Sequence, residues 1–453
     1  MASLLIKDIG YLVTMDEERR ELQHVSLLIE GSMIAGIGPA ETLPATADRV
    51  IDGQHLIILP GLVNTHHHLY QNLTRALPTA QDAPLFEWLR TLYPLWGQLT
   101  AEAVYVSALV GLAELALSGC TTTTDHLYIY PNDTNLDATI QAAREVGVRF
   151  HPCRGSMSLG EEEGGLPPDW VVEDEDDILA DTARVIDRFH DPTRCAMCRI
   201  AVGPCSPFSV TTELMRRSAE LARARGVLLH THLAETQDEE VFCRQMFGRT
   251  PLEYAADTGW LGEDVWYAHG VHFAGDDIAT LATTHTGVAH CPGSNMRLGS
   301  GIAPIKEMVA QGVRVGLAVD GSASNDAAHL LGEARLAMLL QRVAHGADAL
   351  SARMALELAT RGGASLLGRD DIGALAVGMA ADLVGFRLDR LEYAGAWRDP
   401  LGALLFCHPA NVDLSVINGQ IVVEGGELRT LELEPVLRRH QRISAEMAAR
   451  AER

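Results

Sequence analysis

The chain has 453 residues, 36 basic against 60 acidic side chains for a net charge of −24, and an apolar fraction of 47%. So large an apolar share excludes intrinsic disorder. The acidic balance argues against nucleic acid and anionic membranes as partners, because both demand a basic surface. Only Lys7 and Lys306 are lysines, so chemistry that needs an active-site lysine is almost excluded.

The eight cysteines are sparse and irregularly spaced, and Cys153, Cys205 and Cys291 sit in apolar runs, which does not suit a disulfide framework. Cys195 and Cys198 form a CxxC with no second pair at zinc-finger spacing, which alone does not define a site. Asp8 falls where a secretory signal would carry its apolar region, and no continuous apolar run reaches ~18 residues. A cytoplasmic protein without a membrane span is expected.

Residues 1–59 read as short strands with turns: Leu4 to Ile6, Tyr11 to Thr14, Val25 to Glu30, Met33 to Ile37 and Arg49 to Asp52. From residue 60 short apolar runs alternate with helical stretches, the rhythm of βα units on a parallel sheet. Eight strand-like segments follow: Leu59 to His66, Cys120 to His126, Val148 to Cys153, Arg199 to Gly203, Val227 to His232, Val265 to His269, Gly287 to His290 and Val313 to Asp320. Helical stretches such as Ala101 to Leu117, Thr211 to Arg225 and Ala352 to Leu367 separate or follow them. This predicts an α/β fold, a (β/α)8 TIM-like barrel over residues 60–368. After Gly368 the β rhythm returns, with an Asn418-Gly419 hairpin signal. Residues 1–59 and 369–430 are therefore expected to build one small β-sandwich domain, with a C-terminal helix in 431–453.

The most specific feature is Asn64-Thr65-His66-His67-His68 at the end of the first barrel segment. Strand side chains alternate, so His66 and His68 share a face and His67 points away. Two imidazoles at the mouth of a barrel strand suit a zinc or iron ion. The fifth segment ends in His232, with Glu235 three residues on; the sixth ends in His269 and the eighth in Asp320. Alone, His269 would be a core or capping histidine and Asp320 a helix cap. Strand C-termini converge on one pocket in such a barrel, so together these groups surround a metal with a position left for water.

With these motifs in hand, the chain resembles the amidohydrolase superfamily, in its branch of mononuclear aminohydrolases that includes guanine, cytosine and S-adenosylhomocysteine deaminases and triazine hydrolases. The resemblance spans essentially the whole chain. It includes Leu59-Pro60-Gly61-Leu62-Val63-Asn64-Thr65-His66-His67-His68, His232-Leu233-Ala234-Glu235, Ala268-His269-Gly270, His290-Cys291-Pro292-Gly293-Ser294-Asn295, Asp320-Gly321-Ser322 and the closing Gly378-Met379-Ala380-Ala381-Asp382-Leu383-Val384. It implies that His66, His68, His232 and Asp320 bind one divalent metal, zinc before iron. Glu235 would shuttle the proton, His269 would orient the water, and Asp320 would also take its proton. Binuclear members bridge two metals with a carboxylated lysine from the fourth strand; Arg199 to Cys205 has none, so one metal is expected. The resemblance also suggests a homo-oligomer.

The substrate implied is a small heterocycle. Gln71, three residues past His68, matches a position that offers a side-chain amide to a purine edge in guanine-deaminase-like members. Leu85 to Trp96 could lid a flat ring or simply pack the core, and Arg154 and Cys205 are further candidates to face the ligand. The segments His67 to Arg75 and Arg154 to Gly160 are similar to the 8-oxoguanine deaminase group, whose relatives include hydroxydechloroatrazine ethylaminohydrolases. The expectation is therefore hydrolysis of 8-oxoguanine to urate and ammonia, with a triazine aminohydrolase or a guanine/isoguanine deaminase as alternatives. A non-catalytic scaffold is the remote one, because every expected ligand is retained.

Overall fold

In the computed structural model, which describes residues 3–451, eight parallel strands close into a barrel. We number them β1 (Leu62–Asn64), β2 (Cys120–Leu127), β3 (Arg149–Ser156), β4 (Ala201–Pro204), β5 (Leu228–Leu233), β6 (Val265–His269), β7 (Gly287–His290) and β8 (Arg314–Leu317). Each lies within or beside one of the segments expected from the sequence, and β8 closes on β1 through Leu317 and Asn64. The intervening helices carry their own stop and start signals. Thr212–Arg225 begins where the Thr211 hydroxyl accepts from Leu214 N and ends at left-handed Gly226.

On either side of the barrel the chain builds a β-sandwich. Ser3–Ile9, Val25–Glu30, Met33–Gly38 and Arg49–Asp52 form a four-stranded sheet. Strands from both ends of the chain share the seven-stranded one, where Leu383–Arg387 runs antiparallel to Leu56–Pro60. Leu4, Ile6, Leu27, Ile58, Leu383 and Val416 fill the space between the sheets.

The first barrel strand begins later than Leu59. Leu59 and Pro60 pair with Val384 and Leu383 of the sandwich, and the chain crosses into the barrel at Gly61. A Cβ there would stand 2.0 Å from Thr121 Oγ1, so only glycine allows the crossing. Beneath the barrel, Arg149 of β3 is wholly buried and donates to both carboxylate oxygens of Asp382 at 2.9 Å. It also donates to the Cys195 and Ala196 carbonyls, so the CxxC loop here holds an arginine.

The Ala101–Ser118 helix is long and apolar enough, by length and composition, to cross a membrane, even though Glu102 and Glu114 interrupt it. It is 67% buried within the protein, against the Leu136–Val146 and Leu433–Ala451 helices.

Candidate metal centre and cavity

At the mouth of the barrel three strands end in strained turns. Ala234, His269 and Asp320 take positive φ of 55°, 74° and 63°. Side chains with a Cβ rarely adopt this region, and such strain persists only where the surroundings over-determine it. Each turn swings the chain off its strand and leaves Glu235, His269 and Asp320 facing one point, all buried.

Below them lie His66, His68 and His232. His68 Nε2 is 3.1 Å from His232 Nε2 and 3.4 Å from Asp320 Oδ1, and His66 Nε2 is 3.2 Å from the same oxygen. Four donors at ~2.1 Å around a tetrahedral ion lie about 3.4 Å apart, so these separations suit a single divalent metal.

The outer nitrogens of the rings settle which inner nitrogens carry lone pairs. His68 Nδ1 lies 2.7 Å from the His126 carbonyl and His232 Nδ1 2.6 Å from the Cys205 carbonyl; each must donate there. His66 reaches the same state through another imidazole. His230 Nδ1 donates to the Trp266 carbonyl at 3.0 Å, so its Nε2 is an acceptor, and His66 Nδ1 donates to it at 2.7 Å. His66 Nε2, buried without a hydrogen-bond partner, is thereby left with its lone pair facing Asp320. All three rings present bare Nε2 atoms, as metal ligands must. Burial lowers the pKa of all three, which keeps them neutral.

The two acids diverge. Burial raises Glu235, with the Asp320 charge adding to it, whereas His269 and the Ser300 hydroxyl act against the rise. Burial also favours protonation of Asp320, but the charge of His269 opposes that, and the Asp320 carboxyl lies well below the usual carboxylate range. Ser324 Oγ and Gly321 N hold its two oxygens at 3.1 and 2.7 Å. His269 Nδ1 donates to Asn295 Oδ1 at 2.9 Å, which turns Nε2 towards Glu235 Oε2 at 3.5 Å and Asp320 Oδ2 at 3.9 Å. Burial would lower its pKa, yet Glu235 and Asp320 raise it overall.

Two further buried acids brace the loops that carry the site. Asp125 accepts from Leu69 N, next to His68, and Glu333 accepts from Gly293 N and Asn325 Nδ2. Burial raises each to about 7.

Above the centre a cavity opens between His68, His232, Glu235, His269 and Asp320 on its floor and Leu85, Trp88, Leu89, Phe208 and Leu298 on its wall. Gln71 and Cys205 line it as well. Gln71 lies across Gly321, where a Cβ would meet its Oε1 at 1.9 Å. Trp88 is pinned by its Nε1, which donates to the Ala323 carbonyl at 3.1 Å.

Arg154 is not there. On β3 its neighbour Cys153 points into the barrel, so the pleat turns Arg154 outwards. Its guanidinium stacks 3.7 Å from the Tyr130 ring centroid and pairs with Glu173 and Asp181 at 2.7 and 2.8 Å. Sequence reading also passed over His230, although it sits two residues before His232 on the same strand face, and His126, whose ring lies against His68 and His232.

The amidohydrolase family profile matches residues 57–422. The chain belongs to the amidohydrolase family. This amidohydrolase is 47% identical over 422 residues to the 8-oxoguanine deaminase of Pseudomonas aeruginosa, covering 93% of this chain and 94% of that one. It is 41% identical to the hydroxydechloroatrazine ethylaminohydrolase of a Pseudomonas species, covering 95% and 93%. Among solved structures, atrazine chlorohydrolase of Arthrobacter aurescens in complex with zinc superposes with a TM-score of 0.93 at 36% identity, covering 97% of this chain and 100% of that one. The first two names are those of C–N hydrolases, in keeping with the hydrolase expected from the motifs.

Proposed function

We propose that this amidohydrolase is an aminohydrolase that deaminates 8-oxoguanine to urate and ammonia, with His66, His68, His232 and Asp320 holding one zinc ion. The observation that carries the chemistry is a buried acid, Glu235, and an anionic one, Asp320, both facing Nε2 of His269 at the floor of one cavity. The 47% identity to the Pseudomonas enzyme carries the substrate. The zinc complex of the Arthrobacter relative supports a divalent metal at this centre.

When bound, a divalent ion supplies Lewis acidity, which lowers the pKa of water towards ~7. The protein does the rest by placing protons. Asp320 accepts the proton of the attacking water while His269 Nε2 orients it. Glu235, whose burial favours its protonated form, donates to the ring nitrogen beside the carbon that carries the amino group. Negative charge therefore does not accumulate on the ring. Protons return to the amino group, the C–N bond breaks, and ammonia leaves as the C=O forms. Gln71 can donate to and accept from the base edge at once, and Trp88 offers a face on which a ring stacks.

The test is ammonia release from 8-oxoguanine, guanine, isoguanine and hydroxyatrazine by protein of measured metal content. The highest kcat/KM is expected on 8-oxoguanine. Turnover of hydroxyatrazine alone would replace this reading with the triazine one.

A further inference from the structure

The pattern Thr-x-x-Glu starts two helices in this chain, Thr236 to Glu239 and Thr250 to Glu253. At the second it closes an ordinary capping box: Thr250 Oγ1 accepts from Glu253 N at 3.2 Å, and Glu253 Oε2 accepts from Thr250 N at 2.8 Å. At the first the box stays open. Thr236 caps the Gln237–Phe247 helix without any side-chain bond, and its hydroxyl is buried and unpartnered. Glu239 occupies the position of Glu253 but reaches past Thr236. Its Oε1 accepts from Ala234 N at 2.8 Å and its Oε2 from Glu235 N at 3.1 Å.

The difference has a cost and a target. Glu253 is exposed, whereas Glu239 is fully buried, and a buried carboxylate is tolerated only where hydrogen bonds compensate. Its two oxygens grip the strained turn at Ala234 (φ 55°), through which β5 delivers Glu235 to the cavity. We infer that Glu239 is a positioning residue, whose carboxylate clamps the Ala234 and Glu235 amides and so aims the Glu235 side chain beside His269. The inference rests on the proton-shuttle role proposed for Glu235.

The experiment compares Glu239→Gln, Glu239→Met and Glu253→Gln in metal-loaded protein, reading kcat, KM, metal content and Tm, with Glu235→Gln alongside. Glu239→Gln keeps one acceptor and turns an NH2 group against the other amide. Small displacements of a reacting group cost roughly 10²-fold, so its kcat is expected to fall by about that factor with KM and metal content unchanged. Glu239→Met should fall further. Glu253→Gln, the same exchange at the closed box, should lower Tm alone. The clamp is overturned if Glu239→Gln keeps wild-type kcat, or if its loss merely tracks lost metal or lost folded protein. Should Glu239→Met fail to fold, the Gln variant decides. Full turnover by Glu235→Gln would overturn the shuttle role itself and the clamp with it. An inactive Glu235→Gln beside a normal Glu239→Gln would overturn the clamp alone.

Discussion

Replacing His230 by phenylalanine tests the hydrogen-bond chain beneath the metal centre. The ring of His230 stacks on Trp266 with centroids 4.4 Å apart and planes 15° from parallel, and phenylalanine keeps that shape. What it removes is the acceptor for His66 Nδ1–H at 2.7 Å, together with the donor to the Trp266 carbonyl at 3.0 Å. His66 then either buries an unpaired donor, at about 1–3 kcal/mol, or moves its proton to Nε2, the atom that faces Asp320. Both outcomes weaken a ligand. Loss of such a supporting partner typically costs 10- to 100-fold in metal affinity, or about 1.4–2.7 kcal/mol. Competition with a chromophoric chelator measures the affinity, and Tm of the metal-free protein reports any general damage. We expect a 10- to 100-fold weaker zinc Kd, near-normal kcat at saturating zinc, and a metal-free Tm lowered by no more than one or two unpaired buried groups cost, about 1–3 kcal/mol each. A wild-type Kd in a folded variant would refute the assignment of His66 through His230.

Three other outcomes follow from the same geometry. Asp382→Asn strands the buried Arg149 guanidinium beneath the barrel, and breaking a buried pair costs about 3–5 kcal/mol, to be read as a lower denaturant midpoint at unchanged slope. Trp88→Ala removes an aromatic face worth ~1–3 kcal/mol per stacked base; KM should rise roughly 10- to 100-fold with metal content unchanged, and an unaltered KM would place the ring elsewhere. Glu333 is raised by burial from 4.5 to about 7, so the folded state holds its proton more tightly than the unfolded one. That contribution is complete below the unfolded value and is lost as pH rises through about 7. Glu333→Gln should therefore gain stability relative to wild type between pH 5 and 8, and a pH-independent difference would contradict the shift.

The barrel and its mouth were legible because they rest on periodicities that short-range sequence carries. Alternation separates His66 and His68 from His67, and strand ends followed by Glu235, Gly270 and Gly321 mark where the chain turns out of the sheet. The same rule, applied one position more carefully, would have removed Arg154 from the cavity. Cys153 is an inward residue of β3, so its neighbour had to face the surrounding helices, where Glu173 and Asp181 meet it.

What could not be read is where a proton sits, because that depends on partners far apart in the chain. His66 Nε2 is left bare by His230, 164 residues away, and His230 is made an acceptor by the Trp266 carbonyl. The two Thr-x-x-Glu segments make the point within one sequence. Their local pattern is the same, yet one glutamate closes an exposed box and the other is buried under the turn before Glu235. Local preference allows either state. The closed barrel decides between them, since the end of β5 leaves the Ala234 and Glu235 amides to be satisfied, and two buried amides without an acceptor cost more than the bond that Thr236 forgoes.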